Sequence, residues 1–497
     1  MHDLETLKSG GYRGAGLTQL RLACPLSSFP EEILELGDTL EQLDLSGTGL
    51  SSLPTNLGSA LPKLKSAVFS NCAFKMFPRV LASCANLETV VFRNTGMEEI
   101  PEDAFPTHLR CLILTGNCLT SVPSSISRCD GLEQCLLVGN QLRDLPPEMA
   151  NCKKLSTLRL SSNNISTLPS WLYTLPNLAF LSFANNPCAS PNTNGIHTPR
   201  GLASIAWTDL EIVESLDADT LQGMWHQSPY YAEDVAIKLF RNPLAGHSTG
   251  TDDDGFAADE MSAYLAAGAH ESLVTILGQI HNHPDEDDVT TQEGGEGKTT
   301  LQGGIVTQLL LDSYIPLSTF TNPSTTTTEG EATDDDDAAS SLDAKTALQV
   351  LTGIASCLAH LHSRGIAHGS VRPETVFASA SDAHALLTHF RAATRYSGGC
   401  SAAAQADEIE KVEVLAFGQL IEFVLGVVDR QSAGGGDGGD EEKDGQGEEV
   451  ERGLRGLRDR CVAAEVTERP GFEEVLEVLE GMMGWRGMMR IPDVVPT

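Results

Sequence analysis

The chain has 497 residues, and its 68 acidic and 33 basic side chains give a formal net charge of −35. This length predicts two or three domains, and so acidic a chain is poorly suited to bind nucleic acid or an anionic membrane. It begins with no basic-then-apolar signal and has no apolar run near the roughly 18 residues of a spanning helix. We therefore expect a cytoplasmic protein without a membrane partner.

Leucine begins the same phrase eight times in the first part of the chain, at residues 17, 40, 64, 87, 109, 132, 155 and 178. The clearest copies, Leu109 to Leu119 and Leu155 to Ile165, read L-x-x-L-x-L-x-x-N-x-L, and each copy continues to an apolar residue followed by proline. This pattern resembles the leucine-rich repeat family. The resemblance implies an α/β solenoid, shaped as a horseshoe, over residues 1–190.

Two further positions of the phrase predict how the repeats are held together. Asparagine fills the N position of the leucine phrase in the later copies, where its amide can bond to the backbone of the neighbouring coil: Asn117, Asn140, Asn163 and Asn186. The earlier copies carry Thr48, Cys72 and Thr95, so we expect that end to be less regular. Cys84, Cys129 and Cys152 recur in one phase, which predicts buried thiols and no disulfides.

The outward strand positions of a horseshoe line its concave face. Val68, Val91, Ile113 and Leu136 fill one such column in four adjacent repeats. An exposed aliphatic strip of this kind usually marks an interface, so we predict that a protein partner binds there. The alternative is that the second domain of the same chain covers the strip.

After a linker predicted at 191–209, several ordered motifs follow. Val235-Ala236-Ile237-Lys238 ends an apolar strand, and Glu260 lies in a helical segment beyond it. A helix is predicted near 347–362, followed by the loop Ile366–Phe377 and by His389-Phe390-Arg391. In this order and spacing the motifs resemble the protein kinase fold.

The resemblance is closest to soluble leucine-rich-repeat protein kinases, whose lysine strand continues Lys-Leu-Phe. It implies an α+β two-lobed protein-kinase-like fold over 210–481 with a C-terminal tail at 482–497. Acidic and low-complexity runs predict disordered insertions near 283–303, 322–342 and 431–452. Within the fold, His368 and Phe390 match the stacked side chains that join the two lobes, and Arg469 matches a buried structural arginine.

The residues that depart from the kinase pattern are those that would contact phosphate and metal. The glycine positions of the phosphate loop are replaced by Asp217, Asp219 and Gln222, whose side chains block a close backbone approach. Two of these side chains also repel an anionic ligand.

The catalytic positions are degenerate as well. Ser370 replaces the catalytic aspartate, Thr375 the metal-binding asparagine and His389 the magnesium-binding aspartate. Lys238 and Glu260 remain a candidate residual ATP site. No metal site is predicted, no cofactor is required, ATP binding is doubtful and Mg²⁺ binding is not expected.

Three functions stay open at this point. The first is a pseudokinase that acts as a protein-binding scaffold or signalling regulator. The second is an active or weakly active serine/threonine kinase with an unconventional site, in which Glu374 replaces the lost base. The third is a repeat adaptor whose second half is an inert docking domain.

Overall fold

The structure is a computed structural model that describes residues 2–189, 202–216, 219–241, 257–284, 301–321, 341–396, 402–428 and 441–484. We call residues 2–189 the repeat region and the described residues from 202 to 484 the second region. Asp217, one of the predicted phosphate-loop positions, lies outside the described residues.

Eight three-residue parallel strands form the sheet of the repeat region, pairing in chain order with residues at equivalent repeat positions side by side. The strands are β1 (Gln19–Arg21), β2 (Gln42–Asp44), β3 (Ser66–Val68), β4 (Thr89–Val91), β5 (Cys111–Ile113), β6 (Gln134–Leu136), β7 (Thr157–Arg159) and β8 (Phe180–Ser182). Short 3₁₀ helices, or α2 (Leu57–Ala60) after β2, run back toward the next strand in most repeats, and α1 (Leu4–Lys8) precedes β1. This arrangement confirms the predicted repeat solenoid.

The repeat core forms because each strand directs its central side chain inward, where the next coil covers it. These side chains are at most 4% exposed: Leu20, Leu43, Ala67, Val90, Leu112, Cys135, Leu158 and Leu181. Burying one aliphatic side chain contributes about 1.5–3 kcal/mol. No single coil has the surface to bury its own leucines, so stability comes from stacking.

The asparagines of the later repeats satisfy the backbone as predicted. Asn163 Nδ2 donates to the carbonyls of Leu137 (3.0 Å) and Leu160 (2.9 Å), and its Oδ1 accepts from the amide of Leu142 (3.0 Å). The same set of contacts recurs one repeat away in each direction, around Asn140 and Asn186.

The first repeats replace this set with hydroxyl and thiol contacts, and Thr48 Oγ1 and Cys72 Sγ also lie 3.5 Å apart. Thr48 Oγ1 donates to Leu45 O (2.7 Å), and Cys72 Sγ donates to the same carbonyl (3.2 Å). The strands there still pair in register. The lower regularity expected at this end is therefore found in the side-chain bonds and in α2, which replaces a 3₁₀ helix after β2.

A six-stranded sheet and one helix form the first part of the second region, which we call the sheet lobe. Its strands are β9 (Ala203–Ala206), β10 (Leu210–Ser215), β11 (Thr220–Ser228), β12 (Tyr231–Arg241), β13 (Ile276–His281) and β14 (Leu301–Gln308), in the spatial order β10-β11-β12-β14-β13-β9. Only the β13–β9 pair is parallel. Helix α3 (Ala257–Ala267) packs on the sheet by burying Met261 and Leu265 against Phe240 and Ile305.

Helices dominate the rest of the second region, which we call the helical lobe. They are α4 (Ala344–Ser363), α5 (Ala402–Val427), α6 (Glu441–Cys461) and α7 (Phe472–Met482). Five short strands lie among them: β15 (Ile315–Pro316), β16 (Ile366–Ala367), β17 (Val376–Ser379), β18 (His384–Leu387) and β19 (Thr394–Arg395). Helix α4 begins where the Asp343 carboxylate accepts a hydrogen bond from the Thr346 amide (2.7 Å), and its apolar stripe forms the centre of this lobe's core.

Three of the predicted linker and insertion ranges overlap regular elements of the structure. The predicted linker 191–209 contains β9, because Ile205 is buried against the sheet and the strand pairs in register with β13. The predicted insertions near 283–303 and 431–452 also overlap regular elements, since β14 begins at Leu301 and α6 begins at Glu441. Helix α6 is anchored at its far end by the buried Leu454 and Leu457. Most of the insertion near 322–342 lies outside the described residues.

Within the described part of the chain, no helix is both long and apolar enough to cross a membrane.

The eleven cysteines described in this part of the chain are free thiols. Burial raises the pKa of Cys84 and Cys152 to about 11 and that of Cys129 to about 12. These three thiols therefore behave as small apolar side chains, as their repeat phase predicts.

Candidate functional site

Two oppositely charged side chains of the sheet lobe meet beneath the sheet. Lys238 lies on β12 and Glu260 in the first turn of α3, and their Nζ and Oε1 atoms are 3.1 Å apart. The lysine side chain is 14% exposed and that of the glutamate 7%. Lys238 Nζ also lies 5.8 Å from the ring centroids of Phe240 and Tyr264, which favours the charged amine.

Arg391 of the helical lobe extends this pair into a network that joins the two lobes. Its guanidinium forms an ion pair with Asp219, next to β11, and its Nε lies 3.7 Å from Glu260 Oε2. The order Asp219, Arg391, Glu260, Lys238 alternates in charge, and we call these four residues the inter-lobe network. The pairing of Asp219 with Arg391 was not predicted from the sequence. Both residues replace glycines of the same expected site, one with an acidic and one with a basic side chain, and this complementarity could have indicated the pair.

A column of rings connects the network to the loop Ile366–Phe377. The rings of Tyr264 and Phe390 have centroids 4.5 Å apart, and Phe390 meets His368 edge-on at 5.0 Å. His368 and Phe390 were expected to stack between the lobes, and the structure brings them together. Tyr264, on α3, completes the column and was not anticipated.

His368 is fully buried in a setting that keeps it neutral. Its Nε2 donates to the Thr388 carbonyl at 2.8 Å. Burial is the main cause that lowers the pKa of His368, although Glu413 acts in the opposite direction. The imidazole is therefore a structural donor in this loop and carries no charge at neutral pH.

Glu413 on α5 binds the backbone of the same loop. Its carboxylate accepts from the amides of His368 (3.2 Å) and Gly369 (2.6 Å) and from Nε2 of His362 (2.7 Å). Burial alone would raise the pKa of Glu413, but His362, with help from the loop, holds it below its usual value. On its other side His362 Nδ1 lies 2.6 Å from the Tyr396 hydroxyl, whose pKa is raised by burial, so this phenol remains a donor. This buried cluster was not predicted from the sequence, because Glu413 lies 51 residues beyond His362 and no local pattern links the two.

The three positions predicted to be degenerate are Ser370, Thr375 and His389, and the last two make local contacts. The Thr375 hydroxyl donates to the Ser370 carbonyl (2.7 Å) and accepts from the Arg372 amide (3.1 Å), so it braces the loop. His389 has a left-handed backbone (φ 61°), an uncommon conformation for a residue other than glycine, and its Nδ1 lies 2.6 Å from Thr388 Oγ1. The described residues contain no group of three or more His, Cys, Asp or Glu side chains that could hold a metal ion.

The remaining predicted positions are more peripheral. Gln222 lies on β11, paired with Ala236, and is partly buried. Glu374 is exposed in the loop. Arg469 is almost fully buried and donates to the carbonyls of Ala463 and Pro176, so its partners are backbone oxygens rather than a glutamate.

The repeat region and the second region touch directly at this loop. Arg159 of β7 is 1% exposed, and its Nη1 donates to the Gly369 carbonyl at 2.8 Å. The guanidinium of Arg372 lies 4.0 Å from the ring centroid of Phe180 on β8. A buried arginine needs such partners, because an unpaired buried charge is strongly destabilising.

Comparison with known proteins addresses the repeat region. Residues 154–175 match the family model described as Leucine Rich Repeat. The chain contains leucine-rich repeats. It is also similar to a solved leucine-rich-repeat protein of Leptospira interrogans, with 24% identity and a TM-score of 0.26, covering 32% of this chain and 47% of that one. The match thus spans about half the length of that protein.

The concave face of the leucine-rich repeats differs from the prediction. Val91, Ile113 and Leu136 are only 8%, 3% and 2% exposed, and Val68 is partly buried. The parallel register places these side chains next to one another, and they pack as one apolar cluster. The next residue of the column, Arg159, contacts the second region, in line with the alternative of an internal cover. The prediction of an exposed strip is wrong for three of its four positions, and partner binding there stays a prediction.

Proposed function

We propose that this protein is a binding scaffold in which leucine-rich repeats are joined to a protein-kinase-like fold that does not transfer phosphate. The repeats support the scaffold part, since stacked repeats build extended surfaces for protein recognition. The net charge of −35 favours a protein partner over nucleic acid.

The arrangement of the sheet lobe supports the kinase-like fold. A lysine on the third strand of the lobe's main antiparallel sheet pairs with a glutamate on the following helix, which is the relation that the kinase resemblance implies. The later segments also follow in the expected order, with His368 and Phe390 in contact.

The inter-lobe network is the observation that carries the loss of phosphate transfer. Kinases place magnesium ions and the nucleotide phosphates between the lobes, near the lysine and the Asp-Phe-Gly motif. Here Arg391, in the position of the glycine of that motif, binds Asp219 and approaches Glu260, so side chains of the protein itself make these ion pairs. A ligand phosphate would have to displace the Asp219 carboxylate from Arg391.

The donor set also does not fit Mg²⁺, which prefers oxygen ligands in octahedral geometry. The Thr375 hydroxyl is engaged with the loop backbone, and His389 offers a nitrogen. The hydroxyl of Ser370, in the place of the catalytic aspartate, cannot act as a general base at neutral pH, because a neutral alcohol is far too weak a base to accept a proton.

Calorimetry and thermal unfolding with ATP, with and without Mg²⁺, test the proposal. We expect that ATP with Mg²⁺ does not stabilise the wild type more than ATP alone does. Whatever Lys238→Ala does to the stability of the free protein, we expect it to leave the response to ATP unchanged. Lys345→Ala, an exposed lysine on α4, is the matched control. Metal-dependent ATP binding that is lost in Lys238→Ala and kept in Lys345→Ala contradicts the proposal.

A second candidate function is a weakly active kinase. It is favoured by the Lys238–Glu260 pair, which retains the residual ATP site predicted from the sequence. In this hypothesis Glu374 would act as the base, and its exposure leaves it accessible. Transfer of labelled phosphate from ATP to a protein, abolished by both Lys238→Ala and Glu374→Gln, would establish this function and remove the first.

A further inference from the structure

One backbone hydrogen bond repeats along the whole solenoid. In each of the first seven repeats, the amide that follows the strand donates to the carbonyl of the last strand residue in the next repeat, at 2.8–3.0 Å. The donors are Leu22, Leu45, Phe69, Phe92, Leu114, Leu137 and Leu160. The equivalent amide of the eighth repeat is that of Phe183, and the described residues add no ninth strand to this sheet. Phe183 N donates instead to Thr394 Oγ1 of the second region, at 3.0 Å.

A second contact between repeats ends in the same way. Two residues before the leading leucine, the Pro62 carbonyl accepts from Asn86 Nδ2 of the next repeat at 2.8 Å. Near the other end, the Lys153 carbonyl accepts from Asn177 Nδ2 at the same distance. The equivalent carbonyl of the eighth repeat, that of Pro176, accepts from Arg469 Nη2 at 2.8 Å.

The backbone of the loop also approaches the last strand closely. Gly369 has φ 74°, and a Cβ atom there would lie 2.9 Å from Leu181 O and 2.6 Å from Ala392 O. Ala179, which directly precedes β8, belongs to the apolar core of the second region. The end of the solenoid is thus continuous with the second region in both polar and apolar contacts.

We propose that the second region is the C-terminal cap of the repeat solenoid, with Thr394 and Arg469 making the hydrogen bonds that a ninth repeat would make. Repeat arrays need caps because a terminal coil has an apolar side and unpaired backbone groups that no neighbour covers. The surface that recognises the last repeat is therefore the Thr394, Gly369 and Arg469 side of this chain's own second region. The proposal is independent of ATP binding and of phosphate transfer.

The cap predicts a local effect at one end of the array. Loss of a cap contact opens β8 and then β7, while β1 to β3, at the far end, keep their protection, since each repeat contacts only its neighbours. It also means that a partner which detaches the second region would loosen the last repeats.

Hydrogen exchange on the full chain tests this inference, with the Phe183 amide as the direct reporter. Thr394→Val removes the hydroxyl acceptor and preserves the side-chain shape. We expect exchange of the Phe183 amide and of β8 to accelerate by about tenfold or more, with β1 to β3 unchanged. Thr394→Ser should restore protection. Thr352→Val, which removes a hydroxyl bonded within α4, is the control.

A second variant approaches the interface from the repeat side. Arg159→Leu removes the contact with the Gly369 carbonyl and should also accelerate exchange in β7 and β8. Arg143→Leu, at an exposed position of the repeats, should leave them unchanged. The cap is overturned if β8 stays as protected as in the wild type in both Thr394→Val and Arg159→Leu. It is equally overturned if protection falls as much in β1 to β3 as in β8.

Discussion

The repeat region and the second region satisfy their buried polar groups in opposite ways. In the repeats, asparagines such as Asn140 and Asn163 make the same bonds to partners 26 or fewer residues away. In the second region, Glu413 alone binds an imidazole and two amides that lie 44 to 51 residues from it. In the repeat region the stabilising hydrogen bonds are distributed over equivalent residues of successive repeats, whereas in the second region they are concentrated on single residues. Substitutions should therefore have graded effects in the repeats and large effects at a few positions of the second region.

The largest effect is expected at Glu413. Glu413→Ala leaves the buried amides of His368 and Gly369 and the imidazole of His362 without their acceptor, and we expect a loss of about 3–5 kcal/mol in the free energy of unfolding. Urea unfolding measures it. Glu477→Ala, on the exposed face of α7, should change stability by less than about 0.5 kcal/mol. A loss at Glu413 as small as this would remove the contrast between the regions.

The next largest effect is expected in the asparagine ladder. Asn163→Ala removes the side-chain partner of the Leu137 and Leu160 carbonyls and of the Leu142 amide, at a cost of about 2–4 kcal/mol. Because Asn140 makes equivalent contacts, Asn140→Ala should cost the same within about 0.5 kcal/mol. Exposed Asn151→Ala is the control. Clearly unequal losses at the two ladder positions would show that the copies are not energetically equivalent.

A smaller, pH-dependent effect is expected at His368. Burial holds its pKa in the folded protein below the ordinary 6.5, so the unfolded chain takes up the proton first as the pH falls. The stability from the neutral ring is fully present above about pH 6.5 and declines below it. The free energy of unfolding falls by at most about 1.4 kcal/mol for each pH unit below that point, since one proton is involved.

Urea unfolding at pH 7.5 and pH 5.5 checks this. His368→Gln keeps a donor toward Thr388 and cannot titrate, so it should lose less stability than the wild type between these two values. His270, whose pKa is also lowered by burial, is present in both proteins and cancels in the comparison. An equal loss in both proteins would show that His368 is not responsible.

The smallest effect is expected in the inter-lobe network. The side chains of Arg391 and Asp219 are 38% and 20% exposed, so solvent screens their interaction. A double-mutant cycle with Arg391→Gln and Asp219→Asn should give a coupling below about 1 kcal/mol. The Arg110–Glu133 pair on the repeat surface is the comparison, and we expect a weaker coupling there because both side chains are more exposed. A coupling of zero at Arg391 would mean that the network does not hold the lobes.

The sequence predicts the repeat region well because each feature is copied. The leucine period sets the strands, and the asparagine position sets the ladder, so one copy explains the others. The exposure of Val91, Ile113 and Leu136 was predicted wrongly, because burial of an outward column depends on contacts beyond the repeat. Nothing in the local pattern reports such contacts.

The second region shows where sequence reasoning ends. The lysine strand and helix α4 follow from local apolar patterns, and both were predicted near their observed positions. The Arg391–Asp219 pair joins residues 172 positions apart, and the Arg159–Gly369 contact joins residues 210 positions apart. Contacts at such separation leave no periodic signal, and each occurs once. The site could therefore be predicted as residues but not as a network.

The buried cysteines of the repeats can report the opening of individual coils through the rate at which their thiols are labelled. With a pKa of about 11, Cys84 and Cys152 carry a thiolate fraction on the order of 10⁻⁴ at neutral pH, so an alkylating reagent reacts with the folded protein only slowly. Each thiol becomes reactive when its own coil opens and the sulfur meets water. Because the two residues lie three repeats apart, the ratio of their labelling rates shows at which end of the solenoid the repeats unfold first.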